Sequence, residues 1–76
     1  MNKARRKALK KLGEQLQDLR DNLEELTADE EEALCNTPEN LQTCERYKLN
    51  QDIVTELDYA ICCVEDAISS IKFAAE

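Results

Sequence analysis

Four cysteines, no histidine and two clusters of opposite charge are the residues of this 76-residue chain whose type and spacing invite chemistry. A structural zinc site needs four ligands converging on one point. Cys35 and Cys44 bracket Pro38, whereas Cys62 and Cys63 lie further along the chain. If a helix runs from Cys44 onward, it carries Cys62 about 27 Å away at 1.5 Å per residue. Neighbouring residues on a helix also point about 100° apart, so Cys62 and Cys63 form no clamp. An intrachain four-cysteine site is therefore excluded, and no metal is expected. Reduced thiols of a cytosolic protein are the favoured reading, with a Cys35–Cys44 staple as the alternative. The absence of histidine removes the commonest general base and metal ligand. Carboxylates with no histidine, no nucleophile–base pair and no glycine-rich loop make no active site. The expectation is a protein that is not an enzyme and has neither cofactor nor small-molecule substrate.

The charge clusters suggest binding instead. Lys3, Arg5, Arg6, Lys7, Lys10 and Lys11 could contact phosphates or an anionic surface. They surround a helix rather than forming one stripe, and no aromatic residue is interleaved for base stacking. A solvated basic end is the simpler reading; pairing with Glu65, Asp66 and Glu76 of the C-terminal region is another. The acidic run Asp29, Glu30, Glu31 and Glu32, with Glu24 and Glu25 before it, is either a solvated face or a phosphate-like surface offered to a protein partner. The net charge of −7 disfavours non-specific nucleic-acid binding by the molecule as a whole. No apolar run approaches the ~20 residues of a membrane span or follows the basic N-terminus as a leader would. A cytoplasmic protein with no membrane partner is expected.

Long helices must position these residues, since the chain has one glycine, one proline and 36% charged residues. Tyr47, Asn50, Val54, Leu57, Ile61, Val64, Ile68, Ile71 and Ala75 alternate in spacings of three and four, the heptad mark of a helix buried along one stripe. With Val54 called a, a second stripe of Leu49, Ile53, Ala60, Cys63, Ala67 and Ala74 occupies c and g. Two seams on one helix call for two neighbours. Upstream, Leu9, Leu12, Leu16, Leu19, Leu23 and Leu26 follow the same rule, with Leu9 at a and Leu12 at d. The expected elements are a first helix over about 2–34, a turn over 35–43 and a second helix over 44–75. Thr37, Pro38 and Glu39 form a helix-start signal that makes one short turn here, and Leu41 should plug the open end. Pairing positions whose numbers sum to 80 sets Leu12 against Ile68, Leu19 against Ile61, Leu26 against Val54 and Glu30 against Asn50, and brings Arg20 near Asp58.

The order of charge in the first helix conflicts with its own dipole, because cations crowd the positive end and acids the negative end. A sequence that tolerates this gains from packing or uses the charges elsewhere.

The segment Asp29-Glu30-Glu31-Glu32-Ala33, then Asn36-Thr37-Pro38-Glu39-Asn40-Leu41-Gln42, then Glu45-Arg46 resembles an uncharacterised family of short acidic helical hairpins from low-GC Gram-positive bacteria and their phages. There a basic leucine-rich helix, an acidic run, an Asn-x-Pro-Glu turn and an Ala/Ile-rich helix occupy the whole chain. The resemblance implies a hairpin fold and a phage or mobile-element setting. The chain departs from it at Cys35, Cys44, Cys62 and Cys63, which argues against a general role for the thiols.

Together these features predict an all-α, coiled-coil-like antiparallel hairpin expected to dimerise into a four-helix bundle, with a monomeric hairpin as the alternative. Its expected interaction residues are Ile53, Ala60, Cys63, Ala67 and Ala74 on the second helix, Pro38 and Leu41 in the turn, and Glu30 and Glu31. The expected role is a homo-oligomeric protein-interaction module with a further protein partner; a nucleic-acid accessory protein using Lys3 to Lys11 is the alternative.

Overall fold

The computed structural model describes all residues from Met1 to Glu76. It contains helix α1 (Lys3–Cys35), a single 3-10 turn at Glu39–Leu41 and helix α2 (Glu45–Ala75), folded as a hairpin rod measuring 59 × 14 × 13 Å. Asn2 starts α1 by accepting the Arg5 amide at 2.8 Å on its side-chain oxygen. At the other end, the Asn36 amide reaches the Glu32 carbonyl at 3.0 Å and the Thr37 amide reaches Leu34 at 3.1 Å. Proline at 38 then stops further winding. The Thr37 hydroxyl donates back to the Ala33 carbonyl at 3.1 Å instead of capping a new helix. Gln42 ties the turn by donating to the Thr37 carbonyl at 3.1 Å. Leu41 is 49% exposed, so it does not plug the hairpin. Leu34, Thr37, Gln42 and Tyr47 are the half-buried residues near that end. Three residues form too short a turn to swing Leu41 inward.

The α2 seam follows its heptads. Val54, Ile61, Ile68 and Ala75 are the buried apolar residues, and Leu57, Val64 and Ile71 are half-buried beside them. The α1 seam differs from the leucine stripe. Leu9, Leu16 and Leu23 at a do face α2, but the neighbouring row is Gly13, Arg20, Thr27 and Leu34 at e. Leu12, Leu19 and Leu26 at d are 50, 59 and 62% exposed. The helix is therefore rolled about its axis, away from the simple a/d seam.

The register moves with the roll. A β-carbon on Gly13 would lie 3.4 Å from Ile71 Cγ2, which implies pairs whose numbers sum to 84 rather than 80. At that register Leu16 lies level with Ile68, Leu23 with Ile61 and Leu34 with Asn50. Glu30 is exposed and makes no layer with Asn50. Arg20 pairs with Glu65, Nε to Oε1 at 3.2 Å, and not with Asp58. The same guanidinium holds Glu24 at 2.9 Å and Asp21 at 3.2 Å. The Glu65 hydrogen bond, helped by the two nearer acids, holds the Arg20 pKa above its ordinary value.

The physical reason for the roll lies in the e row. Gly13 and Thr27 are small enough to let the helices approach closely. Arg20 lays its stem over the seam and carries its charge out to three carboxylates. Thr27 is buried with its hydroxyl satisfied, donating to the Leu23 carbonyl at 2.8 Å. Gly13 provides a direct test. Its backbone is helical, and the added methyl would meet Ile71 at ordinary van der Waals distance. Gly13→Ala should raise stability by about 0.5–1 kcal/mol through helix propensity. Thermal unfolding should show a higher midpoint with no change of fold.

Candidate interaction surface and charged ends

The rolled α1 gives the hairpin two unlike sides. One is fixed by Arg20 and Glu65, both at e, and carries Gln17, Ser69 and Lys72. An open groove of about 570 Å³ lies further along this side, where Gly13 and Ala75 offer little bulk between Lys10, Gln17, Ile71 and Glu76. No buried polar side chain is left without a partner.

The other side carries a row of unpartnered apolar residues. In antiparallel helices, flanks of the same heptad letter face each other, so the sides opposite e share one face of the rod. That face holds Leu12, Leu19 and Leu26 from α1 beside Ile53, Ala60, Ala67 and Ala74 from α2. Ile53 is 43% exposed, Ala67 and Ala74 are exposed, and Ala60 is half-buried. Sequence reasoning found the α2 half of this face and placed the leucine half inside the hairpin. The signal it lacked was the small residue at e in two of three consecutive heptads, Gly13 and Thr27.

Cys35, Cys44, Cys62 and Cys63 are all free and exposed. Tyr59 lies one helical turn before Cys63, and its interaction with that thiol holds the phenol pKa above its usual value. Nowhere do three or more histidine, cysteine, aspartate or glutamate side chains converge as a metal site requires.

The charged ends are set by the register. Because Leu9 lies level with Ala75, the first two turns of α1 project beyond the end of α2. Lys3, Arg5, Arg6 and Lys7 ride on this overhang, and none is ion-paired. Arg6 donates to the Met1 carbonyl at 3.2 Å, a contact within its own helix end. Pairing of the basic cluster with Glu65, Asp66 and Glu76 does not occur, because Glu65 is taken by Arg20 and the overhang carries the cations past the C-terminus. At the opposite end Asp29, Glu30, Glu31 and Glu32 are exposed, as are Pro38 and Leu41. The molecule is thus a rod with a basic open end, an acidic turn end and one apolar side. No helix is long and apolar enough to cross a membrane. Compared with protein-family models, curated proteins and solved structures, the chain matches none.

Proposed function

We propose that the protein is a non-enzymatic, homodimeric helical interaction module whose apolar side packs against a second copy to form a four-helix bundle. One observation carries the reading: three leucines at heptad spacing stand half exposed or more on the face that also presents Ile53, Ala60, Ala67 and Ala74. Burying a leucine contributes about 1.5–3 kcal/mol, and a stripe of them on one side of a soluble rod marks a contact surface. A hairpin of two helices is also too small to bury much core alone. With the apolar side covered, the turn around Pro38, with Glu30 and Glu31 at a and b off that side, is the surface left for a further protein partner. The resemblance to phage-associated hairpins supports a setting in which a small acidic protein modulates host machinery.

The experiment is solution mass by light scattering across a wide concentration range, with reductant present. A dimer of 8.7 kDa chains that dissociates only on dilution is the expected result. A single-chain mass at every concentration would overturn it.

A second reading, a nucleic-acid accessory protein, draws on the unpaired cations of the overhang. Phosphate contacts would appear as retention on DNA or RNA that falls steeply with salt. No retention at low salt would remove this reading.

A further inference from the structure

We infer that the two copies pack antiparallel, with the two-fold axis passing beside Leu19, so that the basic open end of each hairpin lies along the acidic end of its partner's α1. The inference rests on the dimer just proposed and adds its orientation.

Two symmetric arrangements cover the apolar side. In one, both turns lie at the same end and α1 faces the partner's α2. The four acids of Asp29 to Glu32 would then share one end of the bundle with their own copies, across its diagonal, and the cations of Lys3 to Lys11 would share the other. Like charges held together oppose such a dimer. In the other arrangement the turns lie at opposite ends and α1 faces the partner's α1.

Three features fit the second arrangement. Leu19 is the middle residue of α1, which spans Lys3–Cys35, so a two-fold there pairs the helix along its whole length. It is also the middle of the exposed stripe, setting Leu12 level with the partner's Leu26 and Leu19 level with the partner's Leu19. Finally, charge is arranged with opposite sign about the same point. Arg5, one heptad before Leu12 in the stripe's own row, falls within a residue of the level of the partner's Glu32, and Lys11 on the flank falls within two residues of the level of the partner's Glu25. All four are exposed and free of intramolecular ion pairs.

This arrangement also accounts for the charge order of α1, which has no acid in its first turn and no base in its last. Each helix alone is destabilised by that order. In an antiparallel pair, each helix end receives from its partner the charge its own dipole prefers.

The test places one spin label on Cys35 in a chain carrying Cys44→Ser, Cys62→Ser and Cys63→Ala, with solution mass measured on the same sample. An antiparallel pair separates the two labels by roughly 48 Å, sixteen residues on each side of Leu19 at 1.5 Å each. A dimer mass with a separation under about 25 Å, set by the diagonal of a bundle with 8–10 Å between helices, would overturn the orientation and leave the dimer standing. A single-chain mass with no distance between labels would overturn the dimer beneath it. Charge reversal gives an independent readout. Arg5→Glu with Lys11→Glu should weaken the dimer by about tenfold or more, and adding Glu25→Lys with Glu32→Lys should restore it. Tighter association of the first variant would overturn the inference, because only parallel copies gain from losing clustered cations.

Discussion

Leu19→Glu, made in the Gly13→Ala background, is expected to yield a helical monomer. Leu19 is 59% exposed, so the hairpin itself loses little when the side chain becomes charged. In the proposed dimer the same residue lies on the two-fold axis, where two glutamates would face each other out of water. An unpaired buried charge costs about 3–5 kcal/mol, and each 1.4 kcal/mol is tenfold in affinity. The dimer should therefore weaken by more than about 100-fold, while circular dichroism at high concentration retains the helical signal. Leu16→Glu supplies the opposite outcome. Leu16 is half-buried level with Ile68, which is 5% exposed, so a glutamate there should unfold the hairpin at every concentration. Two leucines three residues apart thus separate association from folding. If Leu19→Glu also loses its helix at all concentrations, the roll of α1 is wrong and Leu19 belongs to the inner seam. If it stays dimeric, the leucine stripe is not the interface.

That contrast locates what the sequence made legible. Helix α2 could be assigned residue by residue, because its a and d rows are filled with β-branched and aliphatic residues and its e row is charged. Its second stripe, at c and g, is half alanine and offers less apolar bulk to the seam. Helix α1 has an ambiguous pattern. Its a row is leucine, and so is its d row, but its e row includes Gly13 and Thr27, which bury at little cost. A helix with a, d and e all tolerant of burial presents a stripe wider than a two-helix seam needs. Periodicity identifies such a stripe without saying which edge faces the partner in the same chain. The integer register failed for the same reason. Sums of 80 and 84 both align a row of α2 with a row of leucines, and only the approach of Gly13 to Ile71 and the reach of Arg20 to Glu65 distinguish them. Short-range chemistry in the turn was partly legible: Thr37, Pro38 and Glu39 led into one short turn as expected, whereas the side to which Leu41 turned depended on a three-residue geometry. The apolar α2 edge, the basic cluster and the acidic run were visible as residues. Their grouping into one side and two ends followed only from the fold.

Ile61→Ala tests the core on the other side of that division. Ile61 is 8% exposed, lies level with Leu23, and stands midway along the buried row of Val54, Ile61 and Ile68. Truncating a buried isoleucine costs about 2–5 kcal/mol, through lost transfer energy and the cavity left behind. Neighbouring layers cannot close such a gap without moving the helices, since Arg20 and Glu65 hold the spacing from one side. For a two-helix hairpin this is a large part of any total stability. Chemical denaturation should therefore show Ile61→Ala unfolding much earlier than the parent at both low and high protein concentration. Ile53→Ala removes the same atoms from a residue that is 43% exposed on the apolar side. Its effect should fall on the concentration dependence of the transition, because what it would lose is contact with the second copy of the proposed dimer. Equal effects of the two substitutions at all concentrations would show that both residues serve one core. Unequal effects in the stated direction would show that the chain folds along one row of α2 and associates along the next.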